Sequence, residues 1–279
     1  MTESGRLLDE LAANATPAPL TRLVDGWLAK AAPDLPFRRA SAVLPAPGAG
    51  ADHRATSATL DGLEAWYRSL GLRVLVQVSS ADPVAPELDA LLTARGAEVE
   101  APVDVLAADT GSVVDAAGPA LDSLRVAVEE RTPVGRRAAL VVDVEAGVDA
   151  AGVGQLAERF DDPTTAARTQ AYGAMLAPLG PSALVGHVAV DGVVVGVGFG
   201  VLERGWAGIF GMATVPAWRR RGVAGALVGA LGEAAADRHG LRLYLQVEVD
   251  NEPARARYAG LGFTRDHGYH YRALTPVRA

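Results

Sequence analysis

The stretch Val215-Pro216-Ala217-Trp218-Arg219-Arg220-Arg221-Gly222-Val223-Ala224 decides how this chain is read. The apolar run before it, Ile209 to Val215, has strand character, and Pro216 ends it. A helical pattern starts near Gly222 and runs to His239. A strand that breaks into a basic, glycine-containing turn and then a helix is an anion cradle. The first turn of a helix carries backbone N–H groups with no intrahelical partner, and its dipole favours negative charge. Gly222 and Ala224 have almost no side chain, so a diphosphate can approach the backbone. Arg219, Arg220 and Arg221 add charge and bidentate donors. The plain alternative is a surface helix with a basic first turn, but cations are unfavourable there unless an anion lies between them.

Downstream, Gly240 is a C-cap candidate, and Leu241–Val249 alternates as a strand. Asp250-Asn251-Glu252-Pro253 marks a turn and a helix start. The short helix Ala254–Leu261 carries Tyr258, Gly262-Phe263 ends it, and a last strand follows near His267–Leu274. Upstream, Ala183–Val190 and Val193–Leu202 read as a hairpin around Asp191-Gly192, a pair that suits a two-residue turn. Arg204-Gly205 turns the chain into the strand Trp206–Val215. The run Gly196-Val197-Gly198-Phe199-Gly200 is not a dinucleotide loop, because it lies within a strand pattern rather than opening a helix. Its glycines leave one strand face bare, which points to close approach by a ligand or another backbone.

The Arg219-x-x-Gly222-x-Ala224 run, followed by a strand, Asn251, a short helix with Tyr258, and Leu261-Gly262-Phe263, resembles the acetyl-CoA-binding core of the GNAT acyltransferase superfamily. The likeness covers about residues 180–275 and fades upstream. It implies an α/β (α+β) fold with a mixed, mainly antiparallel sheet flanked by helices. It implies acetyl-CoA as co-substrate, with its diphosphate on Arg219, Arg220, Arg221, Gly222, Val223, Ala224 and Gly225. Met212, Ala213 and Thr214 would offer backbone groups to the pantetheine arm. Asn251 would touch the cofactor, or serve as a plain helix N-cap. Tyr258 falls where the family places a tyrosine near the CoA sulfur, as proton donor; an amphipathic core tyrosine is the alternative.

The activity implied is transfer of an acetyl group to a small amine, amino acid or peptide amine. Both substrates meet directly, so no enzyme nucleophile is needed and positioning supplies much of the acceleration. The base is open. Gln246 stands where some relatives carry glutamate. Glu248 lies two residues on, on the same strand face; Glu203 is a second candidate, and an amine that loses its proton to water is the third. The competing reading is a non-catalytic acyl-CoA-binding module with a protein-partner surface. A tandem arrangement is also similar to double-GNAT proteins that acetylate thiols and amino acids.

That arrangement rests on a weak internal repeat. Gly71-Leu72-Arg73-Val74-Leu75-Val76-Gln77-Val78 matches Gly240-Leu241-Arg242-Leu243-Tyr244-Leu245-Gln246-Val247. At the same offset Asp82 meets Asn251, Asp89 meets Tyr258 and Leu92 meets Leu261; Ala94-Arg95-Gly96-Ala97 parallels Leu261-Gly262-Phe263 with a small slip, and before the matched run Ala42-Val43-Leu44-Pro45 parallels Ala213-Thr214-Val215-Pro216. The first copy lacks the chemistry. Its loop after Pro45, Ala46-Pro47-Gly48-Ala49-Gly50-Ala51-Asp52, has no arginine, and Asp52 would repel a phosphate. The expected organisation is a degenerate GNAT-like lobe at 1–110, a linker at 111–123 rich in Gly, Ser, Pro and Ala, and an acetyl-CoA-binding domain at 124–279. Residues 148–178 read as helical with a break near Asp161-Asp162-Pro163. Those carboxylates could attract an amine, but Asp162 before Pro163 is favoured as an N-cap.

Composition narrows the classes. The 279 residues contain no cysteine, which removes disulfides, thiolate nucleophiles and Cys-based metal sites. Five scattered histidines lack metal spacing, so no metal is expected. A net charge of −7 argues against nucleic-acid binding and makes Arg219–Arg221 a local exception. Met1–Arg6 precedes no apolar signal core, and no apolar run reaches the roughly 20 residues of a membrane span. A cytoplasmic protein, without a membrane partner, is expected.

Overall fold

The computed structural model describes residues 4–274. Chain order in the first half is α1 (Ser4–Asn14), β1 (Leu20–Val24), β2 (Trp27–Ala31), β3 (Val43–Leu44), α2 (His53–Ser69), β4 (Val74–Ser79), α3 (Ala85–Ala94), β5 (Glu98–Asp109) and α4 (Thr110–Arg131). The second half adds β6 (Leu140–Ala146), α5 (Ala150–Ala157), α6 (Pro163–Leu176), β7 (Ala183–Val190), β8 (Val193–Glu203), β9 (Trp206–Thr214), α7 (Val223–Ala236), β10 (Arg242–Glu248), α8 (Glu252–Gly260) and β11 (Thr264–Leu274). The chain divides into two compact units: residues up to Val105 with Val247–Asn251 and the segment from Arg265 on, and Leu106–Gln246 with Glu252–Thr264.

In the first unit the strands run β1-β2-β3-β4-β11-β5. β1, β2 and β3 pair antiparallel, β3 and β4 pair parallel at Val43↔Val76, and β11 pairs antiparallel with β4 from Tyr269↔Ser79 to Leu274↔Val74. The core lies between this sheet and α2, whose Leu60, Leu63 and Tyr67 recur at helical spacing and are fully buried with Trp27, Val43, Val76 and Leu92. Asp52 starts α2 by accepting hydrogen bonds from the backbone N–H groups of Arg54 and Ala55 at 2.9 and 3.0 Å.

In the second unit the order from β10 is β10-β9-β8-β7-β6. The pairs from β6 to β9 are antiparallel, and β9–β10 is parallel. Each unit therefore contains an antiparallel set joined to one parallel pair, with a helix crossing between the parallel strands. The hairpin turns follow their residues: Asp191 and Gly192 both have positive φ, 49° and 87°, and Arg204-Gly205 does the same. Asp162 caps α6 by accepting from the Thr165 N–H at 2.8 Å, which is the capping role.

Three expectations need correction. Residues 111–123 are not a linker; they form the first part of α4. Small residues there serve a close helix pair. A Cβ at Gly222 or Gly225 would collide with Ala120, and one at Gly229 would come within 2.6 Å of the Ala117 Cβ. Secondly, β11 does not complete the domain begun at 124; it pairs with β4 in the first unit. Alternation marks a strand but does not name its neighbour. Thirdly, the bare face of β8 is met chiefly by side chains of α7 and β9. Cβ atoms at Gly196 and Gly198 would strike Val223 of α7 and Met212 of β9, and one at Gly200 would press on Leu184 and Leu231. The glycines let α7 pack directly on the sheet.

Candidate functional site

The cradle forms at the start of α7. Gly222 is its N-cap, with φ 86°, and no side chain accepts from the first-turn N–H groups. Arg220 also has positive φ, 59°. Arg220 and Gly222 thus put two left-handed residues into the turn that opens α7. The Arg219 and Arg221 Nε atoms donate to the loop carbonyls of Thr214 and Ala217 at 3.4 and 3.3 Å. From α4, Arg131 braces the loop: its guanidinium lies 4.9 Å from the Trp218 ring centroid and donates to the Ala217 carbonyl at 3.1 Å. Gly222 is needed here for two reasons the sequence did not reveal, its left-handed backbone and the Ala120 carbonyl of α4.

The parallel pair beside the cradle opens. β9 and β10 are in register from Arg242↔Trp206 to Leu245↔Ile209 and no further, although β9 continues to Thr214. Phe210 to Thr214 therefore have no β10 partner, and Met212, Ala213 and Thr214 are half-buried. Gly211, with φ 58°, lies at the register shift within the β8–β9 ladder. Backbone groups freed by such a splay are what an extended amide-bearing arm can pair with.

Tyr258 lies on α8, half-buried, with Phe263 edge-on to its ring at 5.9 Å between centroids. Burial pushes its phenol up to about 12, so it stays protonated at neutral pH. One turn position earlier, the Arg257 guanidinium comes within 4.0 Å of where a Cβ on Gly225 would stand. Sequence reading missed Arg257. Its adjacency to Tyr258 on the same short helix was the available signal.

Glu248 and Asn251 fall in the segment counted with the first unit. Glu248 is about half exposed and pairs with Arg38 at 3.1 Å. Arg38 also faces Glu100, which pairs with Arg73. The Asn251 N–H donates to the Glu248 carbonyl at 3.0 Å, closing the turn that precedes α8. Among the described residues no group of His, Asp and Glu is arranged to hold a metal ion, and no helix is long and apolar enough to cross a membrane.

The matching place in the first unit is filled. Helix α1 lies against the ends of β3 and β4. Arg6 Nη2 donates to the carbonyl of Pro45, the repeat partner of Pro216, at 2.9 Å. Gln77, the partner of Gln246, donates to Asp9 Oδ1 at 2.7 Å. Leu8, Asp9 and Leu11 are at most 1% exposed. His267 Nε2 lies 3.2 Å from Asp9 and its Nδ1 2.9 Å from Asp266. Burial opposes its charging, but the hydrogen bond and charge of Asp9, then of Asp266, hold its pKa above the usual histidine value. Lys30 donates to the carbonyls of Ala13 and Thr16 and to the Thr16 hydroxyl at 2.9–3.0 Å, and so ties down the end of α1. Burial, then the nearby Arg39, lowers the Lys30 ammonium to about 7.

The model of the acetyltransferase (GNAT) family matches residues 154–263, a span that holds the cradle, the splayed strand pair and Tyr258. These residues form a GNAT domain. No curated protein sequence matches the chain. Among solved structures, a GCN5-related N-acetyltransferase from Kribbella flavida is 16% identical, with a TM-score of 0.61 over 98% of this chain and 96% of that one. A conserved protein of unknown function from Staphylococcus epidermidis is 9% identical, with a TM-score of 0.57 over 92% and 93%. A tandem GNAT protein from the clavulanic acid biosynthesis pathway is 16% identical, with a TM-score of 0.54 over 80% and 70%. At these identities the likeness is one of fold. The GNAT domain has the architecture expected of acyl-CoA-dependent acetyl transfer in general.

Proposed function

We propose that the protein moves an acetyl group from acetyl-CoA to a small amine, an amino acid or a peptide amine. The observation that carries this reading is the uncapped first turn of α7, set between Arg219, Arg220, Arg221 and Arg257 beside a stretch of β9 that has no partner on its β10 side. The donors fit a diphosphate: open backbone N–H groups, flanking guanidinium groups, and no acidic cap. Met212, Ala213 and Thr214 fit an amide-bearing arm through backbone groups. Bound there, acetyl-CoA supplies an activated thioester acetyl group.

Tyr258 stabilises the sulfur on which negative charge develops. With its pKa near 12, well above a thiol at about 8.5, the phenol acts chiefly as a hydrogen-bond donor to a thiolate rather than by full proton transfer. Glu248 is a weak choice for the base, because Arg38 already engages its carboxylate. Glu203 has partners of its own. The amine then enters neutral, or loses its proton to water.

That missing base favours the second reading, a module that binds acyl-CoA without turnover. One experiment separates them. Acetyl-CoA is titrated by calorimetry, and thiol release is followed across amines, amino acids and short peptides. Binding at one site per chain with thiol release for at least one acceptor supports the enzyme. Binding with no release across the panel supports the module, and no binding overturns both.

A further inference from the structure

The first unit holds a cavity of about 660 Å³, a volume typical of small-molecule sites, about 300–1,000 Å³. Its lining residues all belong to that unit. The apolar wall is Pro83, Pro86 and Pro102 with Val99, Val103 and Val249. Three prolines fix their own backbone, so the wall exists before any ligand arrives. Val99 and Val249 are 52% and 39% exposed, large apolar groups left in water at this cavity.

The polar groups are unequally committed. Asp82 accepts from the N–H groups of Gly48 and Val84. Asp89 accepts from Arg272 with both oxygens, and its Oδ1 also pairs with His270 Nε2 at 2.7 Å. Asp104 Oδ1 accepts from Arg265 Nε at 2.7 Å. Arg265 spends only Nε. Its two Nη groups have no partner among the described residues, and its side chain is over half exposed. The cavity therefore offers a preformed apolar wall and an open two-pronged donor, while its acidic groups are already engaged.

We propose that this cavity binds a small organic carboxylate with an apolar body, its carboxylate on the Arg265 Nη groups and its body against the proline–valine wall. The site is built from residues of the first unit alone and does not depend on the acetyl-transfer reading. Planar guanidinium donors match a carboxylate, and an amide of the same shape loses the charge that strengthens the bond.

The probes are phenylacetate and 4-methylpentanoate, with phenylacetamide as the uncharged match, titrated into the full chain and followed by ligand-observed NMR. Saturable binding with a millimolar or lower Kd is expected for at least one acid. Phenylacetamide binds at least about tenfold more weakly than phenylacetate. Arg265→Lys keeps a cation beside Asp104 but removes the two-pronged donor, and weakens binding by about tenfold or more. Val99→Trp fills the mouth from an exposed position and abolishes binding without changing the unfolding temperature. No saturable binding up to about 10 mM overturns the proposal. So does equal affinity for acid and amide, or binding that survives both variants. Binding lost in Arg221→Ala but kept in Arg265→Lys assigns the carboxylate to the cradle and also overturns it.

Discussion

The loops that follow Pro45 and Pro216 both leave the end of a parallel strand and enter a helix, α2 or α7, yet they finish those helices in opposite ways. At α2 the carboxylate of Asp52 accepts from two first-turn N–H groups, so the helix supplies its own anion. At α7 a left-handed Gly222 offers no acceptor, and those donors remain open between arginines. The clefts differ in the same sense. The end of β9 has no partner on its β10 side, while beside β3 helix α1 occupies the place through Arg6, Asp9 and Gln77. A repeat can keep its fold and lose a ligand site by one internal carboxylate and one docked helix.

The sharpest test of this contrast sets Tyr258 against its repeat partner. Tyr258→Phe should lower turnover by about 10²–10³, as for other donors that meet developing charge, with acetyl-CoA affinity nearly unchanged. Asp89→Asn should leave turnover alone; its partners are Arg272 and His270, both from β11. Steady-state rates with any accepted amine decide this, and equal rates for wild type and Tyr258→Phe would remove the role.

Next in size is the cradle. Arg220→Ala with Arg221→Ala should raise the acetyl-CoA Kd about 10- to 100-fold and flatten its salt dependence. Asp52→Ala should lower the unfolding midpoint by about 2–4 °C through the lost cap. It should not add a second acetyl-CoA site, because α1 still fills the cleft. Calorimetric stoichiometry reads both, and two sites per chain in Asp52→Ala would break the comparison.

A smaller effect concerns the α4–α7 seam. Gly225→Val should destabilise by about 1–3 kcal/mol, since its side chain meets Ala120. Ala120→Gly should recover part of that in the double variant, measured by denaturant unfolding. Undiminished stability in Gly225→Val would mean the helices are not in close contact there.

The smallest effect is a pH dependence in α1 docking. The folded pKa of His267 is raised by Asp9 and Asp266 against the penalty of burial. Its stabilising contribution is therefore complete below the unfolded value of about 6.5 and is lost as pH rises through the folded value. Lys30 titrates in the same region, so the difference between wild type and His267→Gln isolates the histidine. Amide exchange in α1 should favour wild type at pH 6, and the advantage should shrink at higher pH. A constant or growing advantage would reject the ion pair as the latch.

Much of the second unit was legible because its signals are local. Asp191-Gly192 and Arg204-Gly205 dictate their turns through backbone sterics, and Pro216, Gly222 and the arginines announce the loop. Asp52 read from the sequence only as a charge that would repel a phosphate; its capping of α2 belongs to the structure. What escaped were pairings between distant segments. Small residues in 111–123 look alike whether they form a linker or the contact face of a helix, and only α7 tells them apart. Arg257 had no meaning until α8 was set beside α7. Glu248 looked available until Arg38, more than two hundred residues away, was found on it.

The sequence by itself determined where most strands and turns fall, that a basic, glycine-containing turn opens the helix at 223, and that the loop after Pro45 carries an aspartate and no arginine. Those features arise from φ preferences, capping chemistry and charge within a few residues. Tertiary structure decided that β11 pairs with β4, that α1 fills the first cleft, that glycines of α7 and β8 serve packing, and that burial raises the Tyr258 phenol above its ordinary value. Each of these is a choice among partners far apart in the chain, made by shape and desolvation across surfaces that no local pattern encodes.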